Sequence, residues 1–324
     1  MKIIILAGGF ATRLWPLTEQ KAKPLLLLNG ETILSQLLKK IDQDLEIIIS
    51  TNKKFKQEFE AEIKNFPKKN IKIFCEDSFS DGEKLGALGA ISTVIKNYKI
   101  DENIIIFAGD NLLPKLKLEK IFCKNDNAKI IVRDIKNLLE AQKFGVVEID
   151  KYLKNKNSYT VKNFEEKPKK PKSTLVSTGF CTIGKNLFPI LHEFAKKFPD
   201  NLGGIFAEFL KQKKEVLAEK VEGDWFDIGS FDTYLQAHKK LQKENIFHSK
   251  KYLHSTFSGK NFVGKNCKIN NCKIFNSIIY PGTILSNCYI SESVIDEKCL
   301  LQDLDLNRKL IRKGTKIIGG QGGN

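Results

Sequence analysis

At 324 residues with 41% hydrophobic content, the chain can bury a large core and is expected to divide into two domains. No apolar run approaches the roughly 18 residues of a membrane span, and the start lacks the basic segment and apolar stretch of a secretory signal, which predicts a cytoplasmic protein with no membrane partner. A formal charge of +16 invites nucleic acid, yet only four of the 54 basic residues are Arg (Arg13, Arg133, Arg308 and Arg312); phosphate-backbone readers lean on Arg forks and aromatic platforms, so no nucleic-acid partner is expected. The positive field favours small anionic substrates instead. Seven cysteines, odd in number and without paired C-x-x-C spacing, point to reduced packing residues rather than disulfides or zinc.

In chain order, "KIIIL" reads as a central strand of a parallel sheet, apolar because both faces are buried. It runs into "GGFATRLW", where Gly8 and Gly9 let the backbone turn and approach a ligand. This is neither the G-x-G-x-x-G of a dinucleotide fold nor a P-loop. The turn's N–H groups together with Arg13 and Lys23 can hold and neutralise a triphosphate. Leu34, Leu37, Leu38 and Ile41 have helical spacing, "EIIIS" (46–50) is a buried strand, and "KKFKQEFEAEIK" (53–64) is a helix. "IKIFC" follows as a strand, Leu85, Leu88, Ile91 and Ile95 as a helix, and "NIIIFA" as a strand ending in Gly109-Asp110-Asn111. Ligands of such sheets bind beyond the carboxyl ends of the strands, so Gly8-Gly9 and Asp110 should share one crevice. After residue 129 the pattern turns α+β: "KIIVRD", "FGVVEID", a hairpin at "KNKNS", "FEEKP", "STLVSTGFCTIG", two helices, and a closing helix carrying Tyr234, Leu235 and Leu241.

From about Lys250 the chain repeats a small unit. A small residue precedes an aliphatic one by two places at Cys267/Ile269, Cys272/Ile274, Ser277/Ile279, Thr283/Leu285, Cys288/Ile290, Ser293/Ile295 and Cys299/Leu301. Three steps put Cys267, Thr283 and Cys299 one coil apart, the mark of a three-sided β-solenoid with aliphatic residues stacked inside and small ones at the turns.

The segments "LAGGFATRLWPLT…AKPLL", "EKLGALGA", "FAGDN", "FGVVEI", "FEEKP", "STGF" and "DWFDIGS", in that order over residues 1–240, resemble the sugar-phosphate nucleotidylyltransferases, and most of all their glucose-1-phosphate thymidylyltransferase branch. The family's usual second glycine of "GxGTR" is Ala11 here, which asks alanine to adopt that backbone angle. The resemblance implies a Rossmann-like α/β/α catalytic domain (1–245) with a mixed sheet, followed by a left-handed parallel β-helix (250–320). It implies attack by a sugar 1-phosphate on the α-phosphorus of a nucleoside triphosphate, with Mg²⁺ held by Asp110 and Asp227. Arg13, Lys23 and Lys167 are then the catalytic cations, and Leu6, Ala7, Gly8, Gly9, Arg13, Glu76 and Gly86 bind the nucleotide. Gly145, Glu166, Lys167, Thr178 and Gly179 bind the sugar phosphate.

Where thymidylyltransferases carry a glutamine, this chain has Glu76. A carboxylate only accepts hydrogen bonds, so dTTP or UTP with glucose 1-phosphate is preferred over GTP with mannose 1-phosphate by a narrow margin. A non-catalytic NDP-sugar sensor is disfavoured because the charged groups are all present. Acetyl transfer is not expected of a tail with only His248 and His254 near its start as bases. The apolar side chains of "IIY" (278–280) and "YISESVI" (289–295) are expected to meet a second subunit, making the protein a homo-oligomer through its solenoid.

Overall fold

The computed structural model describes the chain except residues 42, 43, 65, 68, 69, 249–251 and 321–324; the side chain of Asp81 is also outside it. Lys250, where the sequence reading starts the tail, therefore lies outside the described residues. The chain forms two compact units, each discontinuous in sequence: residues 1–9 with 34–227, and residues 10–33 with 228–324.

The first unit is built on a mixed nine-stranded sheet. Its strands are β1 (Lys2–Leu6), β2 (Glu46–Asn52), β3 (Ile71–Glu76), β4 (Ile104–Ala108), β5 (Ala128–Asp134), β6 (Gly145–Leu153), β7 (Ser158–Glu166), β8 (Leu175–Ile183) and β9 (Val216–Lys220). They lie in the order β3-β2-β1-β4-β8-β5-β9-β7-β6. The first four are parallel, and β8 runs antiparallel to both β4 and β5. Ile3, Ile4 and Ile5 of β1 are wholly buried, as expected of a strand hydrogen-bonded on both edges and packed on both faces. The fold is the expected three-layer α/β/α arrangement. Helices α1 (Ile33–Leu38), α2 (Lys56–Lys64), α3 (Ala87–Asn97), α4 (Phe188–Lys197) and α5 (Gly204–Lys211) flank the sheet. One core joins Ile4, Ile48 and Ile106 of the sheet to Leu88 and Ile91 of α3, Leu191 of α4 and Phe206 of α5. Helix α3 starts two residues later than the apolar spacing suggested: Leu85 stands before it, 36% exposed. Among the described residues no helix is long and apolar enough to cross a membrane.

The second unit carries the solenoid, a left-handed β-helix of three parallel sheets. Its register has the sixteen-residue period read from sequence: Ile269 pairs with Leu285 and Leu285 with Leu301, while Ile274 pairs with Ile290 and Ile290 with Leu306. The aliphatic residues stack into one core. The small residues sit at the turns and hydrogen-bond there: Ser277 Oγ donates to Phe275 O at 2.7 Å, Cys272 Sγ to Asn270 O at 3.1 Å and Cys288 Sγ to Ser286 O at 3.1 Å. Each is preceded by a left-handed residue, among them Asn266, Asn271, Asn276 and Asn287, because asparagine tolerates this conformation better than other non-glycine residues. All seven cysteines are free thiols, five of them buried.

The flank of this solenoid is not bare. Ile278, Ile279, Tyr280, Val294 and Ile295 are wholly buried. Helix α6 (Phe231–Leu241) and the segment 10–33 lie in the same unit, and the hydroxyl of Tyr280 meets that of Tyr234 at 3.0 Å and accepts the Leu27 N–H at 3.0 Å. The apolar residues reserved by the sequence reading for a partner are thus satisfied within the chain, with Tyr289 (45%) left exposed.

Ala11 takes φ 51° and ψ 40° at the head of a short 3₁₀ turn, Thr12–Leu14. A left-handed conformation costs an L-residue with a Cβ roughly 1–2 kcal/mol, part of which glycine loses again through its freer unfolded state. Ala11→Gly should therefore raise stability by about 0.5–1 kcal/mol in denaturant titration; a destabilised variant would show that alanine is not strained there.

Candidate active site

The parallel strands bring four residues to one edge of the first unit. Leu6 of β1 pairs with Ser50 of β2 and Ala108 of β4, and Ser50 pairs with Phe74 of β3. The Gly8-Gly9 turn leaves this edge braced from behind. Ala7 N–H donates to Ser50 O at 2.8 Å, and Asn52 Nδ2 donates to Gly8 O at 3.0 Å. Glu76, only 4% exposed, lies so close that a Cβ on Gly8 would stand 2.8 Å from its Oε1. Gly8 is glycine because of this approach, whereas nothing lies within 4 Å of a Cβ at Gly9. The carboxyl of Glu76 accepts from Leu85 N–H at 3.1 Å and Ser50 Oγ at 3.4 Å. Burial raises its pKa above the carboxylate range, against the opposing pull of those two donors.

Asp110 follows β4 and is half-buried. Its neighbour Asn111 donates to Asp110 Oδ1 at 2.9 Å and accepts from Trp225 Nε1 at 2.8 Å. Asn111 also pairs in register with Asp227, in an antiparallel match of Asn111–Leu112 with Phe226–Asp227. Asp227 is thereby paired with the residue that follows Asp110, although 117 residues separate the two aspartates in sequence. Gly179 lies against Asn111, at a bulge in β8, with φ 79° and a would-be Cβ 2.7 Å from Ala108 Cβ and 3.6 Å from Asn111 Nδ2. Thr178, buried beside it, donates to Ile131 O at 2.9 Å.

A second cluster forms where β6 meets β7. Gly145 is the cross-strand partner of Glu166, and a Cβ there would come within 2.9 Å of Glu166 Oε2. Gly203, absent from the sequence reading, approaches the same carboxyl oxygen even more closely. Its one sequence signal is the cluster "PDNLGG" (199–204), whose composition marks a turn and not a ligand contact. Lys167 has φ 47°, donates its N–H to Phe144 O at 3.1 Å, and places Nζ 3.7 Å from Glu166 Oε1. Burial raises the Glu166 carboxyl despite that cation. Glu166 also borders an open cleft of about 350 Å³ with Phe194, Phe198, Asn201, Glu208 and Lys211.

Gly86 has a structural reason of its own: φ is 75° and the backbone of Pro199 passes beside it, Pro199 O accepting the N–H groups of Leu88 (2.8 Å) and Gly89 (2.9 Å) at the start of α3. Arg13 and Lys23 belong to the second unit. Arg13 is exposed on the turn Thr12–Leu14, and Lys23 opens the turn Lys23–Leu25, half-buried.

The description of the matching family model is nucleotidyl transferase, over residues 2–244. The chain is 30% identical over 243 residues to the bifunctional protein GlmU of Methanocaldococcus jannaschii, covering 74% of this chain and 54% of that one. It is 29% identical over 275 residues to glucose-1-phosphate adenylyltransferase 1 of Vibrio vulnificus strain YJ016, covering 74% and 66%. The chain thus spans between about half and two thirds of the length of these relatives. A solved structure from Bacillus anthracis, described as a glucose-1-phosphate thymidylyltransferase in complex with sucrose, superposes with a TM-score of 0.62 at 21% identity over 77% of this chain and 98% of its own, a likeness of fold. With the family match running from β1 through the end of α6, the chain belongs to the nucleotidyl transferase family.

Proposed function

We propose that the protein joins a nucleoside triphosphate to a sugar 1-phosphate, releasing pyrophosphate. The observation that supports this is the pairing of Asp227 with Asn111, the residue that follows Asp110 just beyond the end of β4. A phosphate oxygen of the sugar attacks the α-phosphorus, the bond to the β-phosphate oxygen breaks, and the product is an NDP-sugar. Both reactants are polyanions, so the protein's work is alignment and charge neutralisation.

Arg13 and Lys23 take the triphosphate charge in this reading. Lys167 holds the sugar phosphate, and Glu166, neighboured by Gly145 and Gly203, accepts from sugar hydroxyls. Two carboxylates suit Mg²⁺, which takes one or two from protein and the rest of its oxygens from phosphates and water. Among the described residues no group of three or more His, Cys, Asp or Glu is placed to hold a metal ion. When bound, Mg²⁺ would neutralise phosphate charge; Asp110 and Asp227 are the residues to hold it.

For the nucleotide we favour dTTP or UTP, and for the sugar glucose 1-phosphate. Burial moves Glu76 toward its protonated form, which offers one donor and one acceptor as glutamine does. The deciding assay is pyrophosphate release over a panel of ATP, GTP, UTP and dTTP against glucose, mannose and glucosamine 1-phosphates. Turnover with a pyrimidine nucleotide and glucose 1-phosphate is expected, and no turnover with any pair sinks the reading.

Asp110→Asn should lower kcat by at least about 10²-fold at saturating Mg²⁺ with the melting temperature nearly unchanged, since a lost charge contact in the transition state is worth several kcal/mol. Wild-type turnover in that variant would take Asp110 out of the site. Lys167→Ala should raise KM for the sugar phosphate well above its effect on KM for the nucleotide; equal effects contradict the assignment.

We also take the protein to be a homo-oligomer through the solenoid, on which Tyr289 (45%), Ile317 (42%) and Ile318 (66%) are exposed apolar side chains that symmetric self-association would cover. Light scattering of the full chain at micromolar concentration should give a multiple of 36.8 kDa. A mass of one chain rejects this assembly.

A further inference from the structure

The segment carrying Arg13 and Lys23 is fastened to the solenoid. Lys21 Nζ meets Glu297 Oε1 at 2.6 Å and lies 4.7 Å from the centre of the Tyr280 ring. Glu297 Oε2 is held by Lys313 at 2.8 Å. Leu27 is gripped at both backbone groups: its N–H donates to Tyr280 Oη at 3.0 Å, and its carbonyl accepts from Tyr234 Oη at 2.6 Å. Glu19 pairs with Arg312 at 2.8 Å. Between these fastenings Ala22, Leu25, Leu26 and Leu28 are buried. Tyr234 and Tyr280 are wholly buried themselves, so each hydroxyl lost would leave a backbone group of Leu27 unpaired at a cost that water cannot offset. Lys23, two residues from Lys21 and four from Leu27, has little freedom left. Solenoid residues thus fix where the loop's cations stand, although they lie more than 250 residues later in sequence.

We infer that the solenoid edge formed by Tyr280 and Glu297 is a positioning element for the loop of Arg13 and Lys23, holding it through Lys21 and Leu27, and so for the triphosphate charge those two cations take. The inference rests on the proposed role of Arg13 and Lys23. It makes Lys21, Tyr280 and Glu297 positioning residues that touch no substrate, and it gives the solenoid a part in nucleotide binding.

The test uses the full chain and the variants Glu297→Gln, Tyr280→Phe, Lys21→Met and the double variant Lys21→Met/Glu297→Gln. The nucleotide giving most turnover is titrated with Mg²⁺ for Kd, and both KM values are measured. Each single variant is expected to raise nucleotide Kd and KM by about tenfold, displacement of a binding group by a fraction of an ångström being enough, while KM for the sugar phosphate moves less than twofold. The double variant should be no worse than the weaker single one, because both remove one contact. Amide exchange of residues 19–28 should quicken in Tyr280→Phe, with the melting temperature within a few degrees of wild type. Unchanged nucleotide constants with unchanged exchange overturn the inference, as do losses equal for both substrates or additive in the double variant. Wild-type protein that binds nucleotide without turnover defeats the proposed reaction but leaves the Kd comparison to decide this inference; wild-type protein that binds no nucleotide overturns both.

Discussion

The register of four parallel strands is the constraint on which the first unit depends. Because Leu6, Ser50, Phe74 and Ala108 stand level, two residues onward from each come Gly8, Asn52, Glu76 and Asp110. Both faces are buried, so a slip of one residue in any strand would carry a flanking polar residue, such as Lys2 or Glu46, into a place that an isoleucine fills. With Ile3 to Ile5, Ile47 to Ile49 and Ile104 to Ile106 all buried, each at roughly 1.5–3 kcal/mol of burial, no such slip is affordable. The polar residues at the strand ends inherit their precision from apolar ones that have no chemistry.

Charge at the sites is set by a contest between burial and partners. Glu76 and Glu166 are both raised by burial, the first opposed by two hydrogen-bond donors and the charge of Lys84 and the second by one loosely placed lysine. Glu297 is also partly buried, yet its hydrogen bonds from Lys21 and Lys313 outweigh desolvation and hold it below the usual carboxylate range. Two close cations reverse the outcome that one at 3.7 Å does not. Burial thus disfavours the ionised form of the carboxyls neighbouring the glycines, while two cations favour it in the one that fastens the loop.

Much of this was legible in the sequence where a period carries the information. The solenoid's sixteen-residue repeat and the buried parallel strands follow from spacing alone, and both agree with the register observed. Local chemistry was partly legible: the asparagines before several of the small residues mark left-handed turns, a signal available at Asn271, Asn276 and Asn287. What spacing cannot give is which distant surface an apolar flank meets. Ile278 to Tyr280 looked available to a partner because nothing in the sequence ties Tyr280 to Leu27 or Tyr234. Gly203 beside Glu166 was hidden for the same reason, since a close approach across the fold leaves no periodic trace. Of the site residues, those on strand ends could be grouped by topology, and those on loops only by resemblance.

The bond from Leu27 to Tyr280 spans 253 residues of chain. At a synthesis rate of roughly 5–20 residues per second, the backbone of residues 10–33 leaves the ribosome tens of seconds before the coil that receives it exists. Those residues hold a run of buried leucines, Leu14, Leu17, Leu25, Leu26 and Leu28, exposed through that interval. Vectorial folding can complete the nine-stranded sheet early, but the second unit closes only when the solenoid has followed residues 10–33, so a nascent chain stalled before Tyr280 carries leucines with no core to enter.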